Sequence, residues 1–395
     1  LEIWEQFLWE SLNRIDSRFK TKDKKEIEMN TSKKYLELLE NPSGCIAHFD
    51  IDMDYLRSVT TVVGDDYINP LLNFCESVSN PCSIGFGDIT QVLPELKPKR
   101  QIVAEDQTGI TKEIYFDTPI GKKAWVLKHM KHLAVERISE ATAAPVSAKE
   151  DFALFDWFYD VIKKADWSPH IRELKAKIAA LNGRAMTSIF LVPPYELLYW
   201  TKRDEMFLLY FDYPELYHNA MNKIIAAFDI VLGVAKEAGV NIAGYGAPGG
   251  TEFTSPDTWR DGIVPTSQKL ESHIKSHGMH SIFHCCGKVH TIVEKGYLND
   301  ISPSIYETLS PPPVGDIPHI GEARAKLSKK IITHGNIDLT FIKESSVEQV
   351  KRKASEIREQ TKGFPHIVGA ADGCLWPGTP AENIKAICEM LNCRQ

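Results

Sequence analysis

Eight short β-prone runs alternate with strongly helical stretches along this chain, and that alternation leaves few folds open. The runs are Cys45–Phe49, Ser83–Gly87, Met186–Val192, Ile242–Tyr245, Met279–Phe283, Ser304–Glu307, Ile331–His334 and His366–Ala370. The helical stretches include Ser147–Lys164, His170–Leu181, Pro214–Ala238, Pro256–Ser276, Ser346–Gln360 and Pro380–Leu391. Parallel strands need a crossover of a dozen or so residues, and a helix supplies it. Eight such units predict an α/β fold of the (β/α)8 TIM-barrel type, with chemistry at the C-terminal ends of its strands. Gln101–Thr118 breaks the pattern and reads as an inserted hairpin turning at Thr108-Gly109. Residues 1–40 are expected to form an N-terminal helical extension. Ile3, Phe7, Leu8 and Leu12 share one stripe there, and Tyr35–Leu39 make a further turn or two. No Gly/Ser linker, low-complexity tract or repeat divides residues 41–395, so the barrel reads as one domain.

Charge and composition narrow the function classes. A net charge of −7 argues against nucleic-acid binding, which needs a clustered basic surface. The basic segments Lys22–Lys25, Lys97–Arg100 and Lys326–Lys330 are short and interrupted, as solvated surface is. No apolar run approaches bilayer-spanning length, and the acidic start Leu1-Glu2-Ile3-Trp4-Glu5 is unlike a secretory signal. Eight irregularly spaced cysteines suit a reducing cytosol better than a disulfide scaffold. The expectation is a cytoplasmic protein.

One sequence stands out at a strand end: His284-Cys285-Cys286-Gly287. Side chains alternate faces in extended chain, so His284 and Cys286 point one way and Cys285 the other. Cys374, in Asp372-Gly373-Cys374, follows the last strand-like run. If the two strands are neighbours, it completes a His/Cys/Cys set. Three protein ligands with an open position are the pattern of a catalytic zinc. The alternative is a buried pair of free cysteines beside a core histidine.

Other polar residues fall where a barrel carries chemistry. Glu307 ends the sixth run, and Asn336 and Asp338 follow the seventh. Tyr245 and Glu252 lie around the glycine-rich loop after the fourth, which lacks phosphate-cradling spacing. Glu252 reads either as a fourth zinc ligand or as a loop carboxylate, and Glu307 as a substrate-facing or supporting group. Asp88 ends the second run and could face the cavity or cap a helix. Thr379-Pro380-Ala381-Glu382 reads as a helix capping box.

Three segments carry a resemblance: Tyr306-Glu307-Thr308 through Gly315-Asp316, His334-Gly335-Asn336-Ile337-Asp338, and Gly373-Cys374 through Glu382-Asn383. With them the chain resembles the uroporphyrinogen decarboxylase superfamily over roughly its last 150 residues. That superfamily implies a (β/α)8 barrel. One branch decarboxylates porphyrinogens without metal; another comprises zinc methyltransferases that work with corrinoids. The methyltransferase branch is the more similar, because its His-x-Cys plus distant Cys set lands on His284, Cys286 and Cys374. The decarboxylases carry His where this chain has Cys374, and their N-terminal Arg motif is missing around Gly44–Phe49. Asp88 alone matches their binding aspartate.

What the resemblance implies is a zinc-dependent methyltransferase, moving a methyl group between a corrinoid and a small thiol or another methyl acceptor or donor. His284, Cys286 and Cys374 would bind Zn2+. Glu252, Glu307, Tyr245 and Asp88 are the catalytic candidates. Trp376, after the last strand, would form part of a wall for the corrinoid, or else pack the final helix. The chain contains no Asp-x-His-x-x-Gly corrinoid signature, so the corrinoid would come from a partner protein or from solution. Two thiolates and a neutral imidazole cancel the charge of zinc, which suits activating a thiol better than hydrolysis. The other readings are a decarboxylase-like enzyme of tetrapyrrole biosynthesis and a non-catalytic barrel with a structural zinc.

Overall fold

Aliphatic residues at every second position of the short β-prone runs send one row of side chains inward and the other toward the helices. The structure, a computed structural model, describes residues 31–61, 67–130, 140–191, 200–247, 249–371 and 373–393. The expected stripe Ile3–Leu12 and Asp372 lie outside the described residues. In chain order, β1 (Cys45–Ala47) and β2 (Ser83–Gly85) are followed by β3 (Lys99–Glu105), β4 (Gly109–Thr118), β5 (Gly121–Met130) and β6 (Glu140–Ala143). Then come β7 (Met186–Phe190), β8 (Ile242–Gly246), β9 (His280–His284), β10 (Ile305–Glu307), β11 (Ile332–Ile337) and β12 (His366–Ala370). All eight expected barrel strands form. They make one parallel sheet in the order β1-β12-β11-β10-β9-β8-β7-β2, in which β2 to β12 follow the β/α series, β12 pairs with β1, and no ladder among the described residues joins β1 to β2. The fold is the (β/α)8 barrel expected from the alternation.

Ile46, Met186, Ile242, Ile305, Ile332 and Ile367 form the inner apolar layer, and Ile282 packs against it. Tyr35, Leu38 and Leu39 of the helix Thr31–Glu40 complete that layer. The Ser32 hydroxyl ties this helix to the entries of β2 and β7, accepting from Cys82 N at 3.0 Å and donating to Arg184 O at 3.0 Å. The helix therefore closes the N-terminal end of the barrel and leaves the other end for chemistry.

Between β1 and β2, side-chain amides do the work of a ladder. Asn392 Oδ1 accepts from Ala47 N at 2.8 Å, and its amide nitrogen donates to Ala47 O at 3.0 Å and Ser79 O at 2.9 Å. Asn80 does the same for Phe49, with both bonds at 2.9 Å. Buried backbone groups need partners, and these two amides supply them on the β2-facing side of β1.

The expected hairpin exists but is half of a larger insert. β3, β4, β5 and β6 form a four-stranded antiparallel sheet. Its turn is held by Asp106, which accepts from Thr108 N at 2.7 Å and Gly109 N at 2.8 Å. An aromatic cluster fastens the insert to the helical layer: Phe116 and Trp125 meet Trp200, which in turn meets Phe155 and Phe158.

Three helices differ from expectation. Ser147–Lys164 begins as a 3-10 turn, Lys149–Phe152, before the α-helix Ala153–Lys164, because Asp151 captures the Ser147 and Ala148 amides. Pro256–Ser276 widens to a π turn at Trp259–Ile263, ahead of Pro265, whose ring has no N–H to give. The capping box at Thr379 does not form: Pro380 takes the cap position, and the buried Thr379 hydroxyl has no hydrogen-bond partner.

Two outcomes follow from this packing. Asn392→Ala strands the Ala47 amide and carbonyl, and should cost about 2–4 kcal/mol in urea unfolding. A loss under about 0.5 kcal/mol would show that water or the backbone closes the seam instead. The second concerns His366, fully buried between the Thr333 hydroxyl at 2.8 Å and Gly335 O at 3.0 Å. Burial, and then the charge of His334, lower its pKa to about 3. Its unfolded pKa is near 6.5, so the unfolded chain binds the extra proton between those values. Stability should be full above about pH 6.5 and fall as pH drops toward 3, by up to about 1.4 kcal/mol per pH unit. His366→Gln should flatten part of that slope, read from urea midpoints at pH 7, 6 and 5.

Candidate active site

Register decides which polar side chains meet at the open end. Glu307 pairs with His284 across β10 and β9, and one step beyond the Tyr306–Thr333 pair it comes level with His334 of β11. The three side chains share a face and form a chain. His284 Nδ1 lies 2.9 Å from Glu307 Oε1, and His334 Nδ1 lies 3.2 Å from Glu307 Oε2. Beyond them, His284 Nε2 lies 2.7 Å from Cys286 Sγ, and His334 Nε2 lies 3.2 Å from His48 O.

Glu307 sets the protonation of this chain. Burial works against its charge, but the bonds from His284 and His334 outweigh burial and hold the carboxyl well below its usual range. An ionised Glu307 accepts Nδ1–H from both imidazoles. Burial likewise opposes charge on His284, yet Cys286 and Glu307 raise its pKa well above the ordinary value. His48 is held neutral, with a pKa of about 3, by burial and then by His334. Burial, then the carboxylate of Glu307, lifts Asp50 to about 6. The Cys374 thiol is pushed up by burial and then by Asp50, Asp52 and Glu307.

The alternation read from the sequence is reproduced at the motif. Cys286 faces His284, while Cys285 is fully buried in the outer core. The loop after β9 is braced from two sides: Glu252 Oε2 accepts from Lys288 N at 2.8 Å, and Asp316 accepts from the Val289 and His290 amides. Gly287, at φ +87°, is required here, because a Cβ would collide with the Glu252 carboxylate.

Several sequence candidates stand outside the Glu307 cluster, Glu252 and Asp88 in the loop and cap roles that were their alternative readings. Tyr245 faces outward: it is fully buried, packs edge-on against Phe283, and donates its hydroxyl to Glu271 at 2.8 Å. It is one residue out of phase with the inward row, because it pairs with Phe283 and not with His284. Glu252 is exposed and acts as the loop carboxylate just described. Asp88 caps a short 3-10 turn, accepting from Thr90 N at 2.9 Å and the Thr90 hydroxyl at 2.7 Å. Asp338 caps the helix Leu339–Glu344, and Asn336 donates to Ile317 O. Trp376 is 40% exposed and does not pack into the core.

Among the described residues, the ligand atoms that lie within 4.8 Å of one another as a set of three are those of His48, Asp50 and His334. Cys374 is not drawn to that spacing with His284 and Cys286. His48, Asp50 and His334 were not singled out from the sequence, although a His-x-Asp step leaving the first strand and a His on the seventh could have marked them.

The donor chemistry of the His284–Cys286 pair fits zinc. A carboxylate on the far nitrogen of a histidine fixes the tautomer that offers Nε2 to a metal. Tetrahedral zinc separates its nitrogen and sulfur ligands by about 3.6 Å, so the pair must open by roughly 1 Å to admit an ion. Cys374 follows β12 at the same end of the barrel.

The family model for uroporphyrinogen decarboxylase (URO-D) matches residues 169–393, more than half of the chain. The chain belongs to the uroporphyrinogen decarboxylase family. The matched stretch of this URO-D family member covers six of its eight barrel strands and every residue of the Cys286–His284–Glu307–His334 chain. Among solved structures it is similar to a methyltransferase from Methanosarcina mazei, at 14% identity over 93% of this chain and 99% of that one, with a TM-score of 0.61. It also matches a B12-independent methionine synthase from Shewanella sp. W3-18-1, at 10% identity over 87% and 95% of the two chains, with a TM-score of 0.43. At these identities the likeness concerns the fold. No curated protein sequence matches the chain. No helix among the described residues is long and apolar enough to cross a membrane.

Because Tyr245 points away from the open end, Tyr245→Phe should weaken the fold without touching the site. Glu271 loses one donor, and stability should fall by about 1–2 kcal/mol in urea unfolding while bound metal is unchanged. Lost metal at unchanged stability would return Tyr245 to the site.

Proposed function

We propose that this URO-D family member is a zinc-dependent methyltransferase that moves a methyl group between a corrinoid and a small thiol. The observation that carries the reading is the contact of His284 Nε2 with Cys286 Sγ at 2.7 Å, backed by Glu307 on Nδ1. His284, Cys286 and Cys374 would hold the ion, which when bound supplies the Lewis acidity that keeps a thiol deprotonated at neutral pH.

The protein's own residues do the rest. Glu307 holds the Nδ1 proton of His284 and so fixes the ring that presents Nε2. Glu252 and Asp316 brace the loop that presents Cys286. In the direction of thiol methylation, the substrate thiolate forms the S–CH3 bond as the methyl–cobalt bond of the donor breaks, and that electron pair stays with cobalt. A packed barrel interior excludes a ring of corrinoid size, so the donor approaches across the loops at the open end. Trp376, exposed beside Cys374 on the loop after β12, is the apolar surface that would meet it. Porphyrinogen decarboxylation is disfavoured: Asp88 is spent on Thr90, and Gly44–Phe49 offers no arginine for substrate carboxylates.

The test is demethylation of methylcobalamin with a panel of small thiols, together with elemental analysis. Cys374→Ser should lose one equivalent of zinc and the activity together, and Glu307→Gln should lower metal affinity or rate by about 10–100-fold. A Cys374→Ser protein with full zinc and full rate would falsify the reading.

A further inference from the structure

Next to the His284–Cys286 pair lies a second group of donors with a different chemistry. His48 and Asp50 are two residues apart at the end of β1, and His334 stands on β11. The strand between them, β12, carries glycine where the His334 imidazole meets the backbone of His48. A Cβ at Gly369 would collide with His334 Nε2 and with His48 O. Glycine here is a requirement of space, because its φ lies outside the left-handed region.

One donor atom from each of His48, Asp50 and His334 lies within 4.8 Å of the other two, and His48 Nε2 stands 3.9 Å from Asp50 Oδ1. Donors around one first-row divalent ion stand about 3–3.5 Å apart, so a small contraction suffices. The second observation is His48 itself. It is only 4% exposed, and neither ring nitrogen has a hydrogen-bond partner among the described residues. An imidazole buried with both nitrogens unspent costs stability unless something else takes its lone pair. Its ring centroid lies 5.6 Å from that of His334.

We propose that His48, Asp50 and His334 form a second divalent-metal site, separate from the His284–Cys286 donors and joined to them through Glu307. Two imidazoles and one carboxylate suit Zn2+, Co2+ or Fe2+ and leave positions open for oxygen ligands, water or an oxygen of the substrate. Glu307 spans the two groups, with Oε1 on His284 and Oε2 on His334, so one carboxylate orients a histidine of each. This site does not depend on whether the thiol site transfers methyl groups, or on whether it holds zinc.

Cobalt separates the two sites by colour, since thiolate ligands give a sulfur-to-cobalt charge-transfer band and a His/His/Asp set does not. In the Cys286→Ser/Cys374→Ser double variant, Co2+ titration should still saturate near one equivalent, with d–d bands and no charge-transfer band. Adding Asp50→Asn should abolish that equivalent while circular dichroism stays native. A folded double variant that binds no Co2+ overturns the site, as does binding that Asp50→Asn and His48→Gln both leave unchanged. If the double variant does not fold, the wild-type chain decides. After loading with Zn2+, elemental analysis should find one equivalent fewer in Asp50→Asn than in the wild type, with the Co2+ charge-transfer region the same in both. A zinc content that Asp50→Asn leaves unchanged overturns the proposal.

Discussion

Strict alternation along parallel strands in fixed register governs everything at the open end of this barrel. Where Phe283 and Tyr306 point out to the helices, His284 and Glu307 must point in, and the pairing of β9, β10 and β11 sets them side by side. The same rule puts Tyr245 in the outer aromatic row, beside Phe283. One step along a strand therefore separates a core tyrosine from a site histidine. The level below, of isoleucines and Met186, is sealed by Tyr35, Leu38 and Leu39, which leaves the C-terminal end for the cluster of His284, Glu307 and His334.

Glu307 is the electrostatic hinge of that end. Burying a carboxylate is costly unless it is well bonded, and here two imidazoles share it. The arrangement turns Nδ1 of both histidines toward the carboxylate and Nε2 away from it. One Nε2 meets the Cys286 thiol; the other meets the backbone of β1 beside His48. Two donor groups of unlike softness, one with sulfur and one with nitrogen and oxygen only, are thus built on either side of a single residue.

The rest of the molecule serves this frame. Asn80 and Asn392 satisfy the backbone of β1 on its β2-facing side. The antiparallel insert is attached through Trp200 and its aromatic neighbours. Glu252 and Asp316 spend their carboxylates on backbone amides of the loop that carries Cys286, so loop shape and donor position are coupled.

Much of this was legible in the residues. Period-two and helical patterns located all eight barrel strands and most of the long helices, because burial on one face is a local property of a segment. His284 and Cys286 were legible together, being two apart where one strand ends. What lay beyond reading was everything that depends on two distant segments meeting. The pairing of Glu307 with both His284 and His334, the outward turn of Tyr245 and the use of Asp88 and Glu252 as backbone acceptors all depend on register between strands. The last two strands of the insert were missed because an antiparallel strand on a surface sheet carries little periodic burial. His48, Asp50 and His334 converge only because β12 presents glycine between β1 and β11. Sequence by itself determined the barrel and its polar end. Tertiary structure decided which polar side chains share a partner, because that is a matter of distances across the sheet, which no single segment contains.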